Sequence, residues 1–264
     1  WEIEGAVVAH GFAATFDYNE VSQLLTVTVE AAGGAAANAG TIVSIPVRVW
    51  TYNRYNYVTE TYYDPAELFA KDEKGAEVVI GDSPGGLYNS IFVNRVYKAT
   101  GMAETEKYGA TLNRNFGQSE AHNPDGVVLK KFTYTSYLDE ADAIINFCKL
   151  KTHGMMSLSA SCKNMFGAVP GTLKLEYHYR YPSHEDFADM LIDIQEFYKC
   201  KLHICDAIMA MEGNGPTGGS PKDFGVLLSS RSAFTLDCVC ESILGFEGTV
   251  PMLDTARRRG LSPV

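Results

Sequence analysis

No cysteine precedes Cys148. All six, Cys148, Cys162, Cys200, Cys205, Cys238 and Cys240, follow it. None forms a Cys-x-x-Cys pair, and the closely spaced cysteines that bind an iron–sulfur cluster are missing, so no such cluster is expected within this chain. Cys238 and Cys240 stand too close in sequence for an easy disulfide with each other. The six are read as buried thiols packed as small hydrophobes in a reducing compartment. No apolar run approaches the roughly 20 residues needed to cross a bilayer, so no membrane span is expected. Positive charge is also scarce: 22 Lys and Arg against 32 Asp and Glu give a net charge of −10. That balance argues against nucleic acid as a partner, because phosphate neutralisation needs a basic face. An anionic small molecule stays open, since local charge can oppose the global sign. The glycine turn 81–86 is not a phosphate loop, because no Gly-Lys-Ser/Thr follows it, and it is not Gly-x-Gly-x-x-Gly.

What is present is an ordinary globular composition, with 46% apolar and 20% charged residues over 264 positions. The length suits one large domain or two modest ones. Residues 1–63 read as a β-rich N-terminal region. Leu24 to Val29 alternates apolar residues with Thr, as a half-buried strand does. Residues 42–50 give a second strand, held to an edge by Pro46. Residues 64–264 read as an α/β domain. Its expected strands are 77–80, 127–134, 143–147, 202–208 and 224–228. Its expected helices are 64–74, 88–100, 157–166, 184–199, 232–244 and 251–259. The helix at 184–199 carries Phe187, Met190, Leu191, Ile194 and Phe197 on one face, with Ser183 before it and Glu185 and Asp186 in its first turn. Strands alternating with helices imply an α/β fold, with a mixed or mostly parallel sheet flanked by helices.

The chemistry concentrates after residue 147. Within an acidic chain, Lys149, Lys151, His153, Lys163, Lys174 and His178 gather on what reads as a loop and the next helix. Lysine is strongly hydrated and seldom buried without a partner, so such a group makes a pocket for phosphate or carboxylate. Asn164 would orient the anion through hydrogen bonds. His153 and Lys163 are the candidate catalytic groups here. A second group, Asp206 and Glu212 beside Gly213, Gly215, Gly218 and Gly219, places two carboxylates at a strand end and in the following loop. There they could act as acid and base, or hold a hard cation. In open α/β sheets ligands settle beyond the carboxyl ends of strands. The turn 81–86 offers Asp82 and Ser83 as further pocket lining. No metal is named by these residues.

The order Asn146, Lys149-x-Lys151-Thr152-His153, Lys163-Asn164-x-Phe166-Gly167, Pro170-Gly171, Lys174 and His178 resembles the domain-of-unknown-function 362 family. So do the run 206–219, Asp237 in the helix that follows, and the glycine turn 75–86. The resemblance covers residues 64–264 and implies an α/β fold without implying a reaction. Members of that family often carry a ferredoxin-like module with iron–sulfur cysteines, a pattern this chain lacks.

The reading expected from these residues is an enzyme or cofactor-binding protein with one anion pocket, in which the basic residues past Phe147 face the acidic glycine turn past Ile204. Two alternatives stand beside it: a redox-associated or scaffold protein docking an iron–sulfur partner, and a surface interaction protein. The chain begins at Trp1 rather than Met, which suggests a missing upstream piece. A cytoplasmic location is expected ahead of export.

Overall fold

The computed structural model describes residues 77–262 and, as backbone, four N-terminal strands. It divides into two compact units, residues 1–81 with 97–112, and residues 82–96 with 113–264. The expected helix at 64–74 lies outside the described residues.

In the first unit, β1 (Val7–Ala9), β2 (Phe12–Asn19), β3 (Leu24–Ala31) and β4 (Ile42–Pro46) form an antiparallel meander in that order. Two short strands, β5 (Val79–Ile80) and β6 (Thr111–Leu112), pair in parallel.

The second unit holds the larger sheet. Its strands run in the order β10 (Ser157–Ser159), β9 (Ile145–His153), β11 (Leu202–Glu212), β12 (Ser220–Ser230). The central pair β9 and β11 is parallel, and each outer pair is an antiparallel hairpin. The fold is therefore α/β with a mixed sheet. A parallel pair needs a long crossover. Here it is α2 (Ser161–Asn164), α3 (Leu173–Arg180) and α4 (His184–Tyr198). The remaining helices are α1 (Ser90–Ala99), α5 (Ala233–Leu244) and α6 (Pro251–Arg258). A further hairpin, β7 (Gln118–His122) with β8 (Lys131–Thr135), lays Phe132 and Tyr134 against Phe197 and Tyr198 of α4.

Helix α4 begins where Ser183 Oγ accepts the Asp186 amide at 3.0 Å. Phe187, Met190, Leu191 and Ile194 are fully buried. Each such side chain contributes about 1.5–3 kcal/mol by leaving water. Asp193, on the same helix, accepts the amides of Val127, Val128 and Leu129 at 2.8–2.9 Å and the Arg259 guanidinium at 2.9 Å. That claim on 127–129 keeps those residues out of the strand expected there, and β8 begins only at Lys131.

Two differences from the sequence reading bear on the site. Strand β9 does not end at Phe147 but continues to His153, so Lys149, Lys151 and His153 stand on the strand itself. Its alternation buries Cys148, Leu150 and Thr152 on one face and leaves the three basic residues half-buried on the other. Strand pairing with β11 supplies the backbone partners that local propensity does not. Residues 157–166 are likewise a short strand followed by a short helix, because 157–159 return along β9 as the antiparallel strand β10.

Candidate functional site

Parallel register sets Asp206 directly beside Lys149, and their side chains form an ion pair. Asp206 Oδ1 also accepts the Ile208 amide at 3.0 Å, where β11 departs from regular pairing. Both oxygens of this carboxylate are thus engaged. Lys151 and His153 follow on the same face of β9. Across the crossover come Lys163 on α2 and Lys174 and His178 on α3. Their charges act on one another, as side chains of one neighbourhood do. Burial, then Lys151, lowers the Lys163 ammonium to about 8. Burial also lowers Lys174 to about 8, with Asp82 opposing and Lys163 adding to the shift. Lys151 is lowered by burial and by Lys149, with Asp82 pulling the other way. His153 is pushed down to about 4 by burial, Lys163 and His178. These side chains still reach solvent. Asp82 is exposed too, yet desolvation is the largest influence on its carboxyl and raises its pKa.

Not every cation there is equally available. Lys149 is held by Asp206. Lys174 Nζ donates to the carbonyls of Ser83 and Val169. Among the described residues, no carboxylate and no hydrogen-bond acceptor stands at Lys163 Nζ, which lies 5.9 Å from the centre of the Phe166 ring. Lys174 Nζ lies over the same ring at 5.8 Å. Phe166 packs edge-on to Phe187, and His178 stacks on Phe187 with ring centres 4.5 Å apart. Phe166 thus lies under the two lysines, and Phe187 backs both Phe166 and His178. The sequence placed Phe187 in the core and gave Phe166 no role in the site. The one available signal was the position of Phe166 inside the Lys163-Asn164-Met165-Phe166 run.

The histidine geometry revises one expectation. His153 Nδ1 accepts the amides of Met155 and Met156, each at 3.1 Å. A neutral ring bonded this way carries its proton on Nε2. With its pKa near 4, His153 at neutral pH offers an N–H donor, not a base.

Asn164 donates its amide to Asn146 Oδ1 at 2.8 Å and to the Phe147 carbonyl at 2.9 Å. It fastens α2 to β9, and only its carbonyl is left for a ligand. Ser83 is buried and accepts the Gly171 amide at 2.7 Å, so it docks the 81–86 turn onto the start of α3. A Cβ on Gly171 would meet the Gly86 carbonyl oxygen at 2.2 Å, which reserves that position for glycine. The Gly213 carbonyl accepts Thr152 Oγ1 at 2.9 Å and the Gly215 carbonyl accepts the Gly154 amide at 3.3 Å. The glycine turn past β11 thus lies against the end of β9, on the same side of the sheet's strand exits. Glu212 does not join the cluster. It pairs with Lys222 across the β11–β12 hairpin at 3.4 Å, with both side chains half-exposed. The two acids expected to work together are therefore one engaged carboxylate and one outlying surface pair. Among the described residues, no group of three or more His, Cys, Asp or Glu is arranged to hold a metal ion.

Behind the cluster is a buried polar network that sequence reasoning missed. Asn146 Nδ2 donates to the Ser161 carbonyl and to His203 Nδ1, and Ser161 Oγ lies 2.7 Å from the same nitrogen. Asp237 of α5 accepts the Ser161 and Cys162 amides at 2.7 and 2.9 Å, capping α2 from outside. Burial raises Asp237 to about 7. His203, given no setting by its sequence neighbours, acquires one only through the pairing of β9 with β11. Cys148, Cys205 and Cys240 are buried beside this network, and all six cysteines are free thiols.

The fold and the cluster together define an α/β protein with basic side chains gathered on β9, α2 and α3. The model of the family described as Domain of unknown function (DUF362) matches residues 52–242, more than half of the sequence, and the chain belongs to that family. It is also 38% identical over 126 residues to a protein of Synechocystis sp. named Thylakoid-associated protein sll1697. That alignment covers 47% of this chain, which spans 39% of the relative's length. No solved structure matches.

Proposed function

We propose that this protein binds a small anion, a carboxylate or phosphate compound, in the depression formed by Lys151, Lys163, Lys174, His153 and His178. The observation that carries this reading is Lys163: a half-buried ammonium among other cations, with no acidic partner of its own among the described residues. Uncompensated charge in such a place is unfavourable, and an anion relieves it for several lysines at once. The His153 Nε2–H adds a neutral donor that does not repel the bound cationic neighbours. The Phe166 ring holds the Lys163 and Lys174 ammonium groups in position, as cation–ring contacts do. Catalysis at this site would fall to Lys163, with Asp206 acting through Lys149.

Isothermal titration with phosphate and with oxalate tests this. One site per chain is expected, weakened at least tenfold by Lys163→Met and by Lys151→Met and unchanged by Lys222→Met. Equal affinity in all four proteins would contradict it.

A second reading is supported by α3, where Leu175 and Tyr179, four residues apart on one helix face, are 71% and 89% exposed. Such a face suits docking to a protein partner, as in the scaffold alternative. Loss of co-purifying protein in Leu175→Glu, with anion binding intact, would favour it.

A further inference from the structure

We infer that Lys163 condenses through Nζ with an anionic carbonyl compound of the 2-oxo acid class, forming an imine within the basic depression. The inference rests on the anion-binding reading above and adds a reaction to it. Of the lysines gathered here, Lys149 is tied to Asp206 and Lys174 to two backbone carbonyls. Lys163 has neither kind of tie among the described residues, and it lies beside the face of Phe166. A 2-oxo acid matches this surrounding in both its parts. Its carboxylate would rest between Lys151 and Lys174, and its carbonyl oxygen would accept the His153 Nε2–H. The carbonyl carbon is then presented to Lys163 Nζ.

The step balances without an added oxidant or reductant. The Nζ lone pair forms a C–N bond as the carbonyl π pair moves to oxygen; nitrogen then gives up one proton and the oxygen takes one, giving a neutral carbinolamine. The nitrogen lone pair next expels that hydroxyl, which takes a further proton and leaves as water, and nitrogen gives up its second proton to leave C=N, so both amine protons are balanced by those on the water. An amine must be neutral to attack, and a lysine crowded by cations and withdrawn from water loses its proton early. The groups facing it are Lys151 and His153 from β9, Cys162 from α2, Lys174 and His178 from α3, and Asp82 from the 81–86 turn. Asp82 favours the ammonium form of Lys174 and Lys151, whereas the influence opposing the shift at Lys163 is Cys162.

The test uses the intact chain, glyoxylate as probe and cyanoborohydride to reduce any imine, with peptide mass mapping of every lysine. Lys163 is expected to carry the carboxymethyl group ahead of all other lysines. Labelling should rise with pH around a midpoint near 8 and fall when oxalate is added. Labelling spread evenly over surface lysines, with Lys163 lagging, would overturn the imine. If oxalate still bound in that case, the anion reading would survive alone. Selective labelling of Lys163 that oxalate fails to suppress would support the reactive amine and overturn its dependence on an anion site. Because the map is read on the wild-type protein, no folding defect of a variant can obscure it. Lys163→Arg, which removes the amine, should lose the labelled peptide.

Discussion

Replacing Lys163 by methionine should stabilise the protein while removing its ligand affinity. The ammonium is lowered from 10.5 to about 8. At about 1.4 kcal/mol per unit this corresponds to roughly 3 kcal/mol for keeping the charge in place. The side chain still touches solvent, so the realisable part is closer to roughly 1–2 kcal/mol. Methionine has similar length and no charge, and at pH 7 it should raise the melting temperature by about 2–8 °C. The pH dependence gives the sharper check. A lysine whose folded pKa lies below its unfolded value releases its proton on folding between about pH 8 and 10.5. The Lys163 contribution to stability therefore rises with pH across that window. Lys174 and Lys151 shift in the same direction and remain in the variant, so the difference between the two proteins isolates Lys163, and the variant's advantage should shrink toward pH 10. Thermal melts at pH 7, 8.5 and 10, with and without phosphate, measure all of this. A variant less stable than wild type at pH 7, or an advantage constant with pH, would refute the reasoning. In the same variant the His153 pKa, read by NMR, should climb from about 4, because Lys163 is the largest charged contributor to its depression.

Three further outcomes are expected. Asp237→Ala leaves the Ser161 and Cys162 amides buried without acceptors and should cost about 2–5 kcal/mol in urea denaturation, whereas a change under a few tenths would show that α2 does not need the external cap. Gly215→Ala puts a Cβ 2.0 Å from the Thr152 carbonyl oxygen, so it should push the glycine turn off β9 and speed exchange of the Gly154 amide. Asp193→Ala removes the acceptor of three amides and one guanidinium, and should cost about 3 kcal/mol or more while freeing the 127–129 segment to proteolysis.

Helix α4 was legible because it announces itself locally: a serine cap, two acids in the first turn and an apolar stripe at helical spacing. The expected 184–199 and the observed His184–Tyr198 differ by one residue. Helices α5 and α6 were legible for similar reasons. Strand β9 was legible only in its apolar start. Its continuation alternates lysine with buried residues, a pattern that reads as a polar loop until β11 and β10 are paired on either side. Helix α3 went unseen, since its exposed Leu175 and Tyr179 give it no clear apolar stripe. The basic side chains of the site were visible as a local excess of charge in an acidic chain. Which of them were already engaged was not, because Asp206, Ser83 and Val169 reach them only through tertiary contacts. The roles of Asp237, His203 and Ser161 were hidden for the same reason. Glu212 shows the converse: an acid beside a glycine turn looked like part of the site, yet it pairs diagonally across the β11–β12 hairpin with Lys222.

The most direct measurement is a crystal structure of the protein grown or soaked with selenate, read by the anomalous signal of selenium. The account requires a peak within hydrogen-bond reach of Lys163 Nζ and His153 Nε2, with Lys151 or Lys174 on its other side. A peak confined to surface lysines such as Lys222, with the depression between β9 and α3 holding none, would contradict it.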